Sequence, residues 1–434
     1  MYHFIGIKGS GMSSLATILC DLGYKVQGSD IPKHFFTEEG LIKRGINIFE
    51  YSKENIKEGL TIICGASIKS DNVELVRAKE LGLEIIQYNE MVGKLTRKFK
   101  TICVCGCHGK TTTTTMLASL NKELKMNYLI GDGTGYAFKG NDFFALESCE
   151  YQRHFLEYSP YYTIITNVDL DHVDYYKDIN DVMDAYSEFA NKTEKLIIAC
   201  GDDKNTKNLK LTKDVVYYGF NEDNDIKAIN LEFTSEGTKF DVIIKDKFYE
   251  HFELPLYGKH QVLDALSVIA VSYYENVNVE KVKERLTNFS GAKRRFSITE
   301  INNSVVIDDY AHHPNEVRAL INAVKQKYSN KQIIVIFQPH TFSRTKAFAN
   351  DFVNILKDVD YSYVLNIFPS REKQEDYPGI TSKIITSKLS NSSIIDINDA
   401  KKLIKHHNAV FVFMSPNDIS KLENDLKEEL RNEE

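Results

Sequence analysis

The segment TICVCGCHGKTTTTT, residues 101–115, has the residue types that bind a nucleoside triphosphate. An apolar run leads into Gly106, and Gly109, Lys110 and Thr111 follow before a helix-prone stretch. A strand, a glycine turn and a helix N-terminus in this order direct backbone N–H groups and the helix dipole at an anion. Lys110 can reach the terminal phosphates, and the Thr111 hydroxyl can hold Mg²⁺. The two glycines are closer together than in the general P-loop, so the spacing alone does not identify the ligand.

Two further strand-like segments of the same region lead into acidic residues. DFFALE is followed by Glu150, and YYTIITNV leads into Asp169, Asp171 and His172. Because the carboxyl ends of parallel strands meet at one edge of a sheet, we expect these side chains beside the P-loop. Carboxylate oxygens are ligands that Mg²⁺ prefers, and His172 favours a second divalent ion. The alternative is that the acidic residues only form turns and helix caps.

A second pair of strand ends, in the last third of the chain, carries histidine, arginine and acidic side chains. In an open α/β sheet ligands bind beyond the carboxyl ends of the strands, so both groups are expected to face one crevice. The first strand is followed by Asp308, Asp309, Tyr310, His312 and His313, and the second by His340 and Arg344.

The N-terminal segment HFIGIKGSGMSS predicts another strand, glycine turn and helix. Gly6, Gly9 and Gly11 form a phosphate-type turn, and the acidic Asp30 follows about 20 positions later, as in dinucleotide-binding units. The spacing departs from G-x-G-x-x-G, so NAD is not implied. A tight turn that binds nothing is the alternative.

Strand-like and helix-like patterns alternate along most of the chain, which predicts α/β domains built around parallel sheets. We predict three domains, at residues 1–93, 94–291 and 292–434. Residues 225–252 alternate as antiparallel strands would, and residues 259–274 have helical spacing. The charged C-terminal segment KLENDLKEELRNEE is expected to fray into solvent. The run Lys293, Arg294 and Arg295 at the second join either clamps phosphates as domains close or is a solvated surface.

Composition limits the classes of partner. The 434 residues carry a net charge of −7 and a pI of about 6.0, which argues against nucleic acid or a membrane surface as partner. There is no apolar run of the ~20 residues that cross a bilayer and no signal-peptide pattern, which predicts a cytoplasmic protein. The seven cysteines are an odd number without regular spacing. Cys103, Cys105 and Cys107 alternate as on an ordinary strand, which we favour over a metal site.

The chain resembles the Mur ligase family. The motifs that carry the resemblance occur in the family's order and span nearly the whole sequence: GIKGSGMSS, GCHGKTTTT, ESCE, TNVDLDH, GAKRRF, DDYAHHPNEV and FQPHTFSRT. The resemblance implies a Rossmann-like N-terminal domain that holds UDP, a central P-loop ATP-binding α/β domain and a Rossmann-like C-terminal domain. It implies an ATP-dependent ligase that joins L-alanine to UDP-N-acetylmuramate through an acyl phosphate, acting as a monomer or weak homodimer.

The resemblance also implies roles for individual residues. ATP would contact Gly106, Cys107, His108, Gly109, Lys110, Thr111, Thr112, Gln261, Asp264, Arg295, Asp308, Asp309 and His312. The sugar nucleotide and the amino acid would contact Gly9, Ser10, Gly11, Met12, Ser13, Asp30, Tyr310, His340 and Arg344. Thr111, Glu150 and His172 would hold two Mg²⁺ ions, for which Mn²⁺ may substitute. Lys110, His340 and Arg344 are the candidate catalytic residues, with His340 as the candidate base.

Three positions depart from the family pattern. Cys107 stands where threonine is usual, and residues 414–418 replace a glycine-rich turn. Gln261 and Asp264 replace the two asparagines of an H-N-x-x-N segment, and an ionised Asp264 accepts but cannot donate a hydrogen bond, which predicts altered base recognition.

The alternative functions are a ligase that attaches a tripeptide, a P-loop hydrolase or switch, and a Rossmann dehydrogenase. The sequence leaves the choice among alanine, glycine and serine open, because one methyl or hydroxyl is worth only ~1–3 kcal/mol of discrimination.

Overall fold

The computed structural model describes residues 1–432 of the chain, and residues 433–434 lie outside the description. Within residues 1–432 the strands form three sheets that follow one another along the sequence, each packed against helices. This confirms the predicted three-domain α/β architecture. The predicted boundary after residue 93 falls inside a helix, and the one after residue 291 falls between a helix and a strand.

The first sheet is parallel, with the strand order β3-β2-β1-β4-β5 of a Rossmann-like domain. Its central strands are apolar runs, and Phe4 and Ile63 pack with Leu15 of the first helix in one buried cluster. Apolar strands buried on both faces are typical of parallel sheets covered by helices. The elements are β1 (Tyr2–Ile5), α1 (Ser10–Asp21), β2 (Val26–Asp30), α2 (Glu38–Lys43), β3 (Asn47–Glu50), β4 (Thr61–Cys64), α3 (Val73–Glu80), β5 (Ile85–Gln87) and α4 (Tyr88–Thr96).

The second sheet has the order β15-β14-β13-β12-β11-β10-β6-β9-β7-β8. The strands from β12 to β7 in this order run parallel, while β14 and β15 add an antiparallel extension where the alternating pattern predicted it. The elements are β6 (Lys100–Cys105), α5 (Lys110–Ser119), β7 (Met126–Leu129), β8 (Gly135–Tyr136), β9 (Phe143–Glu147), β10 (Tyr162–Ile165), α6 (Ile179–Ala190), β11 (Leu196–Cys200), α7 (Lys204–Lys207), β12 (Val215–Gly219), β13 (Ile226–Phe233), β14 (Thr238–Ile244), β15 (Lys247–Leu254), α8 (Lys259–Tyr274) and α9 (Val279–Thr287).

This strand order positions the candidate chemistry. Strand β6 lies between β9 and β10, and it pairs with both in parallel. The glycine turn after β6 therefore leaves the sheet beside the acidic segments that follow β9 and β10.

The third sheet has the order β16-β17-β21-β18-β19-β20, with β16 antiparallel at one edge. The elements are β16 (Ser297–Ile301), β17 (Ser304–Asp309), α10 (Pro314–Lys327), β18 (Ile333–Phe337), α11 (Phe342–Leu356), β19 (Tyr361–Val364), α12 (Lys383–Thr386), β20 (Ser392–Ile394), β21 (Val410–Met414) and α13 (Ser420–Asn432).

The C-terminal helix α13 corrects one expectation. Leu422, Leu426 and Leu430 repeat at every fourth position, are buried, and pack in the cluster on one face of the third sheet. The prediction that this charged segment frays into solvent is wrong for residues 420–432, because the leucine stripe fastens it to the sheet. Along the described chain, no helix combines the length and the apolar character that crossing a membrane requires.

Candidate active site

The P-loop is a turn that only glycine can form at two positions. Gly106 and Gly109 have φ angles of 141° and 83°, which side-chain-bearing residues rarely adopt. An added Cβ would lie 2.0 Å from the Thr166 hydroxyl oxygen at Gly106 and 2.5 Å from an Asp264 carboxyl oxygen at Gly109. The turn ends at Gly109, and α5 begins at Lys110 with its N-terminal N–H groups free of any side-chain cap. The geometry is therefore that of an anion cradle.

Lys110 folds back over this turn. Its Nζ donates to the carbonyl oxygens of Gly106 (2.5 Å) and Cys107 (3.3 Å) and lies 3.1 Å from the Glu150 carboxylate. Although burial opposes both charges, the pair holds the pKa of Glu150 below its usual value and raises the pKa of Lys110. Both groups are therefore ionised, and an entering phosphate can take the place of Glu150 as the partner of Lys110.

The predicted metal ligands separate into two neighbouring groups. The Thr111 hydroxyl donates to the Glu147 carboxylate at 3.0 Å. It makes no hydrogen bond to Glu150, the other residue of the predicted set that lies beside the P-loop. Glu150 lies 3.6 Å from Nε2 of His172, and Nδ1 of His172 is buried without a hydrogen-bond partner among residues 1–432. Two carboxylates, a hydroxyl and an imidazole with a free nitrogen fit hard divalent cations such as Mg²⁺. The last residue of β9, Glu147, was not predicted as a ligand, although its place beside β6 could have indicated it.

A cavity of about 280 Å³ opens beside the P-loop, between α8 and the third domain. Leu256, Tyr257 and Phe296 give it apolar walls suited to a nucleotide base. Arg295 lines it, and its side chain donates no hydrogen bond to any residue of the described chain, which leaves the guanidinium for a phosphate. Of the predicted ATP contacts, the cavity is lined by His108, Gly109, Thr111, Thr112, Gln261, Asp264, Arg295 and Asp309.

The remaining predicted ATP contacts lie outside the cavity lining. Asp308 pairs with Arg294 at 3.2 Å, so Asp309 is the member of this pair of aspartates that faces the cavity. Gly106, Cys107 and Lys110 form the neighbouring P-loop, and His312 faces the next crevice.

Asp264 is a carboxyl group without a cationic hydrogen-bond partner. It is buried on α8, and within residues 1–432 its carboxyl group accepts one side-chain hydrogen bond, from the Thr113 hydroxyl at 3.2 Å. Burial raises the pKa of Asp264 to about 8. At neutral pH the group is therefore a carboxylic acid with one donor and one acceptor, like the asparagine amide of the family pattern. A protonated Asp264 can therefore donate as well as accept, and altered base recognition stays a prediction.

The three residues predicted to face the amino acid, Tyr310, His340 and Arg344, lie together with His312, which was predicted as an ATP contact. The ring centroid of His312 is 5.5 Å from that of Tyr310 and 5.4 Å from that of His340. Arg344 donates to Nδ1 of His340 at 2.7 Å and to Asp171 at 2.5 Å. Two strand ends of the third domain and one of the second thus meet in a single crevice, as the sequence predicted for the third domain.

Glu316 was not among the residues predicted for the site. It accepts the backbone N–H groups of His312 and His313 at the N-terminus of α10 and lies 3.2 Å from Nδ1 of His108 in the P-loop. Burial would raise the pKa of Glu316, but His312 and His108 hold it well below its usual value. Glu316 is therefore an ionised link between the second and third domains.

The acidic segment after β10 makes the other contacts to the third domain. Asp169 accepts from Asn315 at 2.6 Å, Asp171 pairs with Arg344, and Asp174 pairs with Arg371 at 2.7 Å. These carboxylates therefore hold the two domains together, whereas His172 of the same segment turns towards the Glu150 carboxylate.

One cluster places potential metal-ligand atoms within 4.8 Å of one another, on His108, Asp169 and His313. The protons on the two histidine rings nevertheless oppose the binding of a metal ion. Nδ1 of His313 accepts the N–H of Asn315, so Nε2 carries the proton. Although burial opposes it, Asp169 and Glu316 raise the pKa of His108 to about 9, so that ring is a cation at neutral pH. The cluster therefore presents hydrogen-bond donors.

The turn of the first domain repeats the P-loop's geometry with different side chains. Gly6 has a φ of 84°, and α1 begins at Ser10 with no side-chain cap and no acidic residue in its first turn. Both carboxyl oxygens of Asp30 accept backbone N–H groups, from Lys8 and Ile31, at 2.8 Å. Asp30 thus stabilises the turn. Its two carboxyl oxygens already accept hydrogen bonds from the backbone, although Asp30 was predicted to contact the sugar nucleotide.

The predicted sugar-nucleotide contacts Gly9, Ser10, Gly11, Met12 and Ser13 all lie in this turn and the first turns of α1. The Ser13 hydroxyl donates to the Ser10 carbonyl, and the N–H groups of Gly9 and Ser13 donate to the carbonyls of Gly6 and Gly9. The backbone N–H groups between them, at the N-terminus of α1, are left as donors for a ligand. The neighbouring loop of the second domain packs against α1, where the Ser14 hydroxyl donates to the Ile130 carbonyl. The cradle therefore faces the P-loop domain.

Comparison with known proteins agrees with this architecture. The Mur ligase catalytic domain model matches residues 1–100, the Mur ligase middle domain model matches residues 104–272, and the Mur ligase glutamate ligase domain model matches residues 294–418. Together these matches cover nearly the whole chain.

Solved structures show the same likeness. UDP-N-acetylmuramate-alanine ligase MurC from Thermotoga maritima is 29% identical with a TM-score of 0.83, over 100% of this chain and 99% of that one. A murein peptide ligase from Psychrobacter arcticus shares the fold at 21% identity and TM-score 0.72, over 99% and 98%. MurF from Thermotoga maritima, in complex with ADP, shares it at 16% identity and TM-score 0.64, over 97% and 99%. This chain belongs to the Mur ligase family.

Proposed function

We propose that this chain joins L-alanine to the carboxylate of UDP-N-acetylmuramate and converts ATP to ADP and phosphate. Its family makes it a ligase of peptidoglycan synthesis, and Mur ligases use ATP. The observation that carries the narrower proposal is the full-length likeness to the alanine ligase, at 29% identity. A cytoplasmic location and a monomeric or weakly dimeric state stay predictions.

The chemistry of amide formation explains why such a ligase needs a P-loop. A carboxylate does not condense with an amine in water, because its oxygen is a poor leaving group. Transfer of the terminal phosphate of ATP to the sugar carboxylate gives an acyl phosphate with a good leaving group. Lys110 and the amides of the turn stabilise the charge in this transfer, and Arg295 is placed to hold a phosphate oxygen. The neutral amine of alanine then attacks the activated carbon.

Mg²⁺ fits the donor set beside the P-loop. Thr111 with Glu147, and Glu150 with His172, would hold two ions, for which Mn²⁺ may substitute. When bound, such ions neutralise charge on the phosphate oxygens. The residues themselves keep Lys110 oriented and exclude bulk water from a largely buried site.

Substrate-dependent phosphate release tests the proposal. The protein would be incubated with ATP, Mg²⁺ and UDP-N-acetylmuramate, together with L-alanine, glycine, L-serine or the free stem tripeptide. We expect release that requires both the sugar nucleotide and an amine, and that is fastest with alanine. Stimulation by the tripeptide but not by alanine would show a peptide-recycling ligase. Release without the sugar nucleotide would show a P-loop hydrolase, and NAD(H) bound to the purified protein would indicate a dehydrogenase.

A further inference from the structure

His312 carries its proton on Nδ1. This nitrogen lies 3.0 Å from the Tyr310 carbonyl oxygen and 3.3 Å from the Glu316 carboxylate. A carbonyl and an ionised carboxylate only accept hydrogen bonds, so Nδ1 must be the donor. The lone pair of the neutral ring is then on Nε2, which bonds to no residue of the described part of the chain. The side chain is 16% exposed, so Nε2 is open to a substrate.

His340 carries its proton on the opposite nitrogen. Its Nδ1 lies 2.7 Å from a terminal nitrogen of Arg344, and a guanidinium only donates. Nδ1 is therefore the acceptor, and Nε2 holds the proton. Asp171 fixes the orientation of Arg344 through a second hydrogen bond at 2.5 Å, and both of these side chains are buried.

The two rings face the same crevice as an acceptor and a donor. Their centroids are 5.4 Å apart, and their planes are nearly perpendicular at 78°. Glu316, Asp171, Arg344 and Arg371 are the charged groups around them. Burial lowers the pKa of His312 to about 4 and that of His340 to about 3, so both rings are neutral near pH 7 and keep these tautomers.

We propose that His312 is the general base of amide formation and that His340 is a hydrogen-bond donor to an anionic oxygen of the substrate. This inference rests on the proposed function and replaces the prediction that His340 is the base. Arg344 already occupies the only lone pair of His340, whereas that of His312 is free.

The step balances without a further reactant. The ammonium group of alanine first gives one proton to Nε2 of His312, which passes it to solvent. The neutral amine nitrogen then forms a bond to the acyl phosphate carbon, and the carbonyl electron pair moves to oxygen. The proton on nitrogen passes to Nε2 of His312, the carbonyl re-forms, and the carbon–oxygen bond to phosphate breaks with its electron pair on phosphate. The proton on His312 then passes to phosphate or solvent.

The test compares two nucleophiles and matched variants. Alanine enters mostly as an ammonium ion and needs a base, while hydroxylamine is uncharged near neutral pH and traps an acyl phosphate as a hydroxamate. We expect His312→Gln to lose about 10²–10⁴-fold in kcat with alanine but less than about tenfold with hydroxylamine. We expect His340→Gln and His340→Ala each to lose the same factor with alanine as with hydroxylamine, and the loss to be smaller for His340→Gln, which keeps an N–H donor near Nε2.

The nucleophile dependence separates a chemical role from a structural one. A misfolded or loosened site would lose both reactions together, and ATP binding by calorimetry would confirm that His312→Gln is folded. Near-normal alanine turnover by His312→Gln, or an equal loss with hydroxylamine, would overturn the assignment of the base. If the wild-type protein uses a different amine, the proposed substrate fails, and the same variants are compared with that amine.

Discussion

The two glycine turns of this protein have the same backbone form and different surroundings. Each follows a parallel strand, uses a glycine with positive φ, and ends at an uncapped helix N-terminus. At the P-loop, Lys110 points over the turn and meets the Glu150 carboxylate. At the first turn, Lys8 points away and donates to the Ile31 and Lys33 carbonyls, with Glu38 at 3.1 Å.

The difference between the two turns separates the binding of a phosphate group from its transfer. A helix N-terminus by itself attracts a phosphate, which suits a diphosphate that is only held. Moving a phosphoryl group also requires a mobile cation and oxygen ligands for metal ions, and the described chain supplies both only around the second turn. The side chains near each turn, and not the turn itself, therefore decide what each domain does.

Replacing the lysine of each turn separately should give the largest difference between the two turns. We expect Lys110→Ala to reduce kcat by about 10³-fold, because its charge stabilises the phosphoryl transfer. Lys8→Ala should leave kcat within about threefold and raise only the KM for UDP-N-acetylmuramate, since Lys8 stabilises the turn through hydrogen bonds that point away from the cradle. Steady-state kinetics of both variants measure this, and equal losses of kcat would remove the distinction between the turns.

Metal dependence should follow the carboxylates of the second turn. We expect Glu150→Gln to raise the Mg²⁺ concentration for half-maximal rate by about 10–100-fold, since a ligand to His172's ion is lost. Glu38→Gln, the matched change beside the first turn, should leave this concentration unchanged. Magnesium titrations of the rate test both, and a normal titration for Glu150→Gln would place the metal elsewhere.

Asp264 predicts a pH dependence of nucleotide binding. Its raised pKa of about 8 means that the carboxyl holds its proton below that pH and loses it above. Binding that needs the proton is complete well below pH 8, and it weakens by about tenfold per pH unit only well above that pH. Since the group is half protonated at pH 8, we expect the Kd for ATP, measured by calorimetry, to rise by about fivefold between pH 8 and 9 in the wild type. The Asp264→Asn variant should show no such rise, and parallel curves would contradict the role of the proton.

The smallest effect should come from the first turn. A Cβ at Gly11 would lie 2.7 Å from the hydroxyl oxygen of Tyr88, at the end of a side chain that can move. We expect Gly11→Ala to raise the KM for UDP-N-acetylmuramate about threefold without changing kcat. The Tyr88 ring carbon Cζ would also lie 2.8 Å from this Cβ. Adding Tyr88→Leu, which removes the whole ring, should therefore restore most of the affinity; no recovery in the double variant would indicate that the backbone N–H groups are displaced instead.

Contiguous patterns predicted the fold and the two cradles well. A strand, a glycine turn and a helix are encoded in about fifteen neighbouring residues, so the segments around Gly6 and Gly109 are visible in the sequence alone. The helix at residues 259–274 was likewise predicted, because its apolar spacing is local.

Several roles that depend on neighbours distant in sequence were not predicted. Glu147 faces Thr111 because β9 pairs with β6, and Glu316 reaches His108 because the third domain packs on the P-loop. The proton positions of His312 and His340 depend on single hydrogen bonds, which residue types cannot specify. The regular spacing of the leucines in α13 is visible in the sequence, but the many charged residues around them obscured the buried face of the helix.

The transfer of oxygen from the sugar carboxylate to phosphate tests the central claim most directly. UDP-N-acetylmuramate labelled with ¹⁸O in its carboxylate would be turned over with ATP and L-alanine, and the released phosphate analysed by mass spectrometry. Activation at the P-loop predicts one labelled oxygen in each phosphate, because the bond that breaks joins the carbonyl carbon to that oxygen. Unlabelled phosphate, with amide still formed, would show that the carboxylate is never phosphorylated and would contradict the account.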